Sequence, residues 1–393
     1  MNKAAFFIGV FSLLILFMVC SGCIESHVQK TETVITKLDS SGTAVWNRSF
    51  DNVHYSSARS ATISNTVIET KDGGFLLAGR LSDTSGRDII RLVKTDRNGE
   101  PEWDTAIPVA TTDLDYLSVA EGSSGGYWII SRYGHIYLFS SSGEYAGMRE
   151  LSPQLPGNAE RATTVSGYPP VVIYRVAWTP DGGALLLVRN HADIYRPFIL
   201  AAIAENGTVL RTTTPDQDLI QETDSIIVTG DGGFLWGKSG HVSQLTDPGM
   251  TLFRTDRNAT PAWNVTFGGS RSCGQCIDVL LGLHESDDGG YDVLYLESRI
   301  NVTHPDETRR FLRETHADAG GNLTKGDGSY VNVPPDWVWG EATIPQKIIS
   351  WTSENLAAPV QVHTFTQNRE YMMNSLVKTR DGGYVAAGTV YYY

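Results

Sequence analysis

Residues 70–81 read TKDGGFLLAGRL, and the chain writes nearly the same line three more times: TPDGGALLLVRN at 179–190, TGDGGFLWGKSG at 229–240 and TRDGGYVAAGTV at 379–390. In each copy Asp-Gly-Gly separates two short runs rich in β-formers. Such a turn needs positive φ, which glycine adopts without steric cost, so the pattern marks a β-hairpin. SSGGYWIIS (123–131) and SDDGGYDVLYL (286–296) fit the same frame, and PPDWVWGEA (334–342) is a seventh copy without the glycines.

A second hairpin alternates with the first. IIRLVKTDRNGEPEWDTAI (89–107), LFRTDRNATPAWNVTF (252–267) and VITKLDSSGTAVWNRSF (34–50) are close versions, and looser ones surround SSSGE (140–144), AENGT (204–208), DAGGN (318–322) and TSENL (352–356). Aligned on Asp72, the first hairpins recur at Ser124, Asp181, Asp231, Asp288, Asp336 and Asp381, roughly 50 residues apart, a period that marks a repeat architecture. Two hairpins make one four-stranded antiparallel blade, and a lone blade would leave both faces wet. The expectation is therefore an all-β, seven-bladed β-propeller over residues 33–393. Residues 34–50 and 374–393 are each half a blade, so pairing of the N- and C-terminal hairpins is expected to close the ring and remove open sheet edges.

The alternation of DGGF-LAG with KTDxNGxxxW resembles the repeat of secreted archaeal and bacterial β-propeller proteins. It is also similar to the tryptophan-docking repeats of quinoprotein-type propellers. The matching residues are Asp39, Gly42 and Trp46; Asp96, Gly99 and Trp103; and Asp256 and Trp263. The resemblance implies the fold and leaves function open, since such propellers host enzymes, scaffolds and binding modules. Trp46, Trp103 and Trp263 fall on outer strands, where they are expected to wedge between blades.

Composition agrees with a large packed core: 41% of the 393 residues are hydrophobic and 19% charged. The net charge of −13, with no basic stripe, argues against a nucleic-acid partner, whose phosphates demand clustered Lys and Arg. At the N-terminus, Lys3 is followed by a charge-free run from Ala4 to Cys20 and then Ser21-Gly22-Cys23. Residues 1–22 read as a secretory signal ending at a lipobox-like Cys23, the expected lipidation site, with 23–32 as a short tether. An uncleaved signal anchor is the alternative, although its run falls short of the ~20 residues a spanning helix needs. Either way the propeller is expected on the extracytoplasmic, cell-surface side of a membrane.

Several motifs tempt a catalytic reading. Asp96, Asn98 and Glu100 resemble the start of a calcium loop, but Pro101 and Trp103 break the frame that such a loop needs. Turn chemistry, with Asp and Asn bonding their own backbone, is preferred. Gly122-Ser123-Ser124-Gly125-Gly126 matches a nucleophile-elbow pattern, yet it aligns with the hairpin turns rather than with a strand-to-helix junction. Cys273 and Cys276 form C-x-x-C in a connection between blades. A disulfide stapling that loop is the preferred reading, with a metal site or redox chemistry as alternatives. Asn47, Asn206, Asn258, Asn264, Asn301 and Asn322 lie in glycosylation triplets. No catalytic residue, metal ligand or cofactor is assigned.

The preferred function is a membrane-anchored binding or scaffolding module for protein or glycan; the alternative is a quinoprotein-like oxidoreductase or a propeller hydrolase. Tight hairpins should lie on one face of the ring and longer, variable connections on the other, where recognition usually resides. The candidate binding face is carried by segments 82–88, 189–197, 268–276 and 298–310, with Arg87, His191, Tyr195, Arg271, His304 and Arg309.

Overall fold

The computed structural model describes residues 30–392 except 53–62, 84, 110–116, 152–154, 156–170, 191–197, 217–222, 240–248, 268–275, 300–308, 325–328, 332–361 and 367–368. The described residues form an all-β propeller whose strands pair antiparallel throughout. Blade 1 spans 63–108, blade 2 117–150, blade 3 171–213, blade 4 225–267 and blade 5 276–331, each with four strands. The terminal blade joins Lys30–Leu38 and Ala44–Asp51 to Val362–Thr366, Arg369–Lys378 and Tyr384–Tyr392.

Every blade is built on the turn that opens this chain's repeat. In blade 1, the Thr70 N–H donates to Gly74 O and the Gly73 N–H to Thr70 O, both at 2.9 Å. The Thr70 hydroxyl and the Gly74 N–H converge on Asp72 Oδ1 at 2.6 and 2.8 Å. Gly73 has φ +86° with open space around it, so its glycine is a matter of backbone conformation. Gly74 is glycine for a different reason. A Cβ there would strike the Thr95 carbonyl and lie 2.6 Å from Lys94 Nζ. The same crowding recurs where a Cβ on Gly183 would lie 2.5 Å from Ile203 O and one on Gly290 2.6 Å from Ala317 O.

The close approach lets a cation from the third strand reach the turn. Lys94 Nζ sits 2.8 Å from Asp72 Oδ2 and donates to Thr95 O at 2.9 Å and Glu102 Oε2 at 3.0 Å, although the residue is only 1% exposed. Lys37 meets Asp381 at 3.0 Å and Arg254 meets Asp231 at 2.5 Å in the same way. In blade 2, Leu138 replaces the cation and Ser124 the aspartate, so charge is lost from both sides together.

Between blades, apolar faces interdigitate. Leu76, Ile90 and Leu92 of blade 1 pack with Val119 and Ile129 of blade 2. Leu187 and Leu200 of blade 3 meet Phe234 and Phe253 of blade 4. Burying one such side chain is worth about 1.5–3 kcal/mol.

The outer edges are joined by the expected tryptophans. Trp103 Nε1 donates to Ser141 O of blade 2 at 3.2 Å, and Trp263 Nε1 to Ala319 O of blade 5 at 3.0 Å. Each ring lies over a turn glycine: a Cβ on Gly99, Gly143 or Gly321 would come within 2.8, 2.6 or 2.7 Å of Trp46, Trp103 or Trp263.

Six blades form among the described residues, and this corrects the expected seven. Blade 5 packs directly on the terminal blade: Lys378 Nζ donates to Asp292 and Glu314, each at 2.7 Å. A Cβ on Gly282 would lie 3.6 Å from Leu376 O. Two sheets in van der Waals contact leave no room for a blade between them. The hairpins expected at 334–342 and 352–356 lie outside the described residues. The expected closing blade of four strands is also replaced. Lys30–Leu38 pairs along Tyr384–Tyr392, from Lys30↔Tyr392 to Leu38↔Tyr384, and Val362–Thr366 adds a fifth strand at the opposite edge of that sheet.

The two glycines of the turn should respond differently to a methyl group. Gly73→Ala should cost about 1–2 kcal/mol, the ordinary penalty for a left-handed residue. Gly74→Ala should cost more, because the opposing group is a backbone carbonyl that cannot turn aside. Urea unfolding checks this, and equal losses for the two variants would refute the account of Gly74.

Candidate functional site

The turn face carries a side-chain set repeated in three blades, with Trp178 and Val228 taking its glutamate position in blades 3 and 4, and one junction holds a polar cluster of its own. Three residues before the turn aspartate stand Glu69, Glu121 and Glu285. They accept the N–H groups of Arg380 at 2.8 Å, Lys71 at 2.6 Å and Gly230 at 2.6 Å, each from the preceding blade. In the terminal blade this position is Lys378. Four residues after the turn aspartate stand Leu76, Leu185, Leu235 and Val385, but Asp292 in blade 5. Four residues before the second turn stand Leu92, Ile136, Leu200, Leu252 and Ile35, but Glu314 in blade 5.

These three substitutions meet. Besides its one bond from Lys378, Glu314 accepts one from the Tyr384 hydroxyl at 3.1 Å. His316 Nδ1 lies 2.8 Å from Asp292 Oδ1 and its Nε2 3.2 Å from Asp288 Oδ2. The side chains of Lys378, Asp292 and Glu314 are 18%, 10% and 13% exposed, so water screens the cluster weakly.

Its electrostatics are those of a latch. Burial pushes the Asp292 carboxyl up, but hydrogen bonds from Lys378 and His316 outweigh it and hold the group below its usual range. Burial pushes the Lys378 ammonium down, and Asp292 and Glu314 more than offset this, leaving it raised. Burial and the Glu314 charge push the Tyr384 phenol up. A nucleophilic lysine needs a lowered pKa and a general base one near the working pH. Lys378 and Tyr384 are tuned away from both tasks. Among the described residues, no group of three or more His, Cys, Asp or Glu side chains is placed to hold a metal ion.

The motifs weighed from sequence resolve into turns. Asp96 Oδ1 accepts the N–H groups of Asn98 and Glu100 at 2.8 and 2.9 Å, and Glu100 pairs with Arg48 of the terminal blade at 2.8 Å. Around Ser124 the Gly122 N–H donates to Gly126 O and the Gly125 N–H to Gly122 O, which is hairpin geometry. Of the glycosylation triplets, Asn47, Asn206, Asn258, Asn264 and Asn322 are exposed.

Arg87 is exposed, and its segment is shorter than the expected variable loop. The Asp83 N–H donates to Arg87 O at 2.8 Å, and the Arg87 side chain returns to Asp83 at 2.6 Å. The first strand of blade 5 starts at Cys276 and its third at Arg309, and both pair with Arg299, so the backbone brings these two positions to one end of the blade. That end is opposite the DGG turns, as it is for Arg87 in blade 1. Cys23, His191, Tyr195, Arg271, Cys273, Asn301 and His304 lie outside the described residues. Reading the chain motif by motif passed over Asp292, Glu314 and Lys378. Their signal was a charge at a repeat position that is otherwise apolar, or of the opposite sign.

No family model matches the chain, and no curated protein matches it. Among solved structures it is similar to BamB from Moraxella catarrhalis, with 12% identity over 89% of this chain and 88% of that one and a TM-score of 0.33. It is similar to a luciferin-regenerating enzyme, with 10% identity over 91% and 95% and a TM-score of 0.40. It is also similar to YCF48 from Cyanidioschyzon merolae, with 11% identity over 85% and 95% and a TM-score of 0.37. Propellers among these neighbours include binding and enzymatic proteins, and the likeness assigns no activity.

Two outcomes test the electrostatics. Lys378→Met leaves two buried carboxylates without that cation and should destabilise by roughly 3–5 kcal/mol, whereas Lys378→Met/Asp292→Leu/Glu314→Leu restores the apolar pattern and should be neutral or stabilising. A triple variant as unstable as the single one would refute the latch. Asp72 and Asp381 are pushed up by burial, but hydrogen bonds from Thr70 and Lys94, and from Thr379 and Lys37, bring each down to about 2. Both are depressed below their unfolded values. Their contribution is therefore complete above about pH 4–5 and lost as pH falls towards 2. Urea midpoints should drop across that window, and less so in Asp72→Asn.

Proposed function

We propose that this protein is an extracytoplasmic, membrane-tethered propeller that binds or scaffolds a protein or glycan rather than transforming a substrate. The observation that carries this reading is the state of its turn-face carboxylates. Asp72, Asp96, Asp231, Asp256, Asp318 and Asp381 are each engaged by backbone N–H groups of their own turns. Glu69, Glu121 and Glu285 are engaged by neighbouring blades. Groups committed in this way make a stiff frame and have little freedom for acid–base work.

The leader-like residues 1–22 before Cys23 support the address. Recognition is placed on the face opposite the DGG turns, where the connections differ from blade to blade. Arg87 and Arg309 lie at that end of their blades, and the proposal adds Arg271, His191, Tyr195 and His304 from the sequence segments between strands. A Cys273–Cys276 disulfide would brace its rim, and glycans on the exposed Asn residues would sit around the outer edge.

Two measurements test the proposal. Cys23→Ala should release the protein from membranes or leave an unprocessed precursor; an unmodified chain starting at Met1 by mass spectrometry would overturn lipidation. Reversing charge at Arg271 and Arg309 should weaken capture of cell-surface protein or glycan at least 10-fold without lowering the unfolding midpoint. Quinone absorbance in the purified protein, or binding that maps to the DGG turns, would overturn the binding-face reading.

A further inference from the structure

Trp46, Trp103 and Trp263 each cross a blade junction, lie over a turn glycine and face an aromatic ring of the next blade. The ring partners are Phe75 at 5.6 Å, Tyr127 at 5.7 Å and Tyr291 at 6.0 Å. Blade 3 has Arg211 at this position. Arg211 Nη2 donates to Arg257 O at 2.9 Å, the same turn carbonyl that Trp103 and Trp263 reach at Ser141 and Ala319. The guanidinium keeps the indole's hydrogen bond and gives up its volume.

The surroundings have changed to match. Ala259, at φ +64°, stands where Gly99, Gly143 and Gly321 lie beneath rings. Phe234, the counterpart of Phe75, Tyr127 and Tyr291, lacks an outer ring and packs on Trp236 instead, at 6.1 Å. A shallow concavity open to solvent lies between Leu185, Leu200, Phe234 and Ala259, with Arg211 and Arg257 among the side chains that line it. Both arginines are exposed, and neither is paired with a carboxylate among the described residues, on a chain of net charge −13.

We propose that this seat at the edge between blades 3 and 4, capped by the exposed Arg211 side chain in place of an indole, docks an aromatic side chain, tryptophan above all, from an acidic segment of a partner protein when the guanidinium swings aside. The three filled seats show what the site's shape is built around. The two arginines specify the charge of the flanking residues, and a guanidinium displaced from the seat can stack on the incoming ring. The Ala259 methyl holds that ring higher than the built-in indoles sit, which a ring not tethered to the strand can accommodate. The surface is separate from the face assigned under the proposed function, so either can fail without the other.

The test uses the purified full-length protein and two peptides, acetyl-Glu-Asp-Trp-Asp-Glu-amide and its Trp→Ala counterpart, titrated by calorimetry. The tryptophan peptide should bind at least 10-fold more tightly than the alanine peptide. Ala259→Gly should strengthen its binding, and Arg257→Glu should weaken it about 10-fold. Arg211→Trp/Ala259→Gly rebuilds the seat that Trp46, Trp103 and Trp263 fill at three other junctions; it should abolish binding while leaving the melting temperature equal or higher, which separates occupancy from misfolding. Equal binding of the two peptides, or unchanged binding by the double variant, would overturn the proposal. So would a wild-type dimer that the double variant converts to monomer without any peptide binding, since the occupant would then be a second copy of this chain.

Discussion

The carbonyl oxygen that ends each third strand lies against the second glycine of the DGG turn, and the rest of the blade follows from that contact. Because Gly74 presents no side chain, Thr95 O and Lys94 Nζ can close on the turn. That approach brings Lys94 onto Asp72, and Asp72 holds the turn's own Thr70 and Gly74. Strand pairing alone would fix neighbouring strands. This contact carries the pairing of the second and third strands, which begins at Phe75↔Thr95, one residue further into the turn. A buried lysine is costly to desolvate, and it is tolerated here because three oxygens surround its ammonium.

These corners allow the blades to be joined by point contacts rather than by continuous pairing. At three junctions a turn-face glutamate takes one N–H from the neighbouring turn, and at the outer edge Trp103 and Trp263 each take one carbonyl and cover one glycine. The joint at Arg211 shows that its two functions are separable: hydrogen bonding survives with a guanidinium, ring filling does not. Ala259 is the structural consequence, since a turn relieved of a ring overhead can carry a methyl group even at positive φ.

Much of this was legible in the sequence because the turn demands chemistry that few residues supply. Asp-Gly-Gly, the alternating second turn and the spacing to tryptophan identify the hairpins, the four-stranded blades and the inter-blade rings. Blade number was not legible. PPDWVWGEA has an aspartate in the right place but neither glycine, and the second glycine is what admits the third-strand carbonyl. Counting it as a turn of the same kind added a seventh blade. Segment 82–88 was misjudged for the opposite reason: Asp83 and Gly86 make a tight turn of the second kind, with Arg87 bonded back to Asp83. The polar junction was hidden because motif reading asks what recurs, whereas Asp292, Glu314 and Lys378 matter by not recurring.

That junction has a particular place in the chain. The terminal blade is assembled from residues more than 300 positions apart in sequence, and its two neighbours treat it differently. Toward blade 1 it presents Ile35, Val385 and Ala387 to Val67, Phe75 and Leu77, an apolar contact flanked by the Arg380–Glu69 and Arg48–Glu100 pairs. Toward blade 5 it presents Lys378 to Asp292 and Glu314, an ionic contact largely shielded from water. Desolvating these charges forfeits stability that leucines would supply, as they do at the equivalent positions elsewhere in the ring. What the charges supply in return is discrimination, because an unpaired buried carboxylate penalises every misaligned arrangement. The buried ionic key thus sits where blade 5 meets the terminal blade, while the junctions from blade 1 to blade 2 and from blade 4 to blade 5 join apolar faces with single hydrogen bonds from a turn-face glutamate and an outer-edge indole.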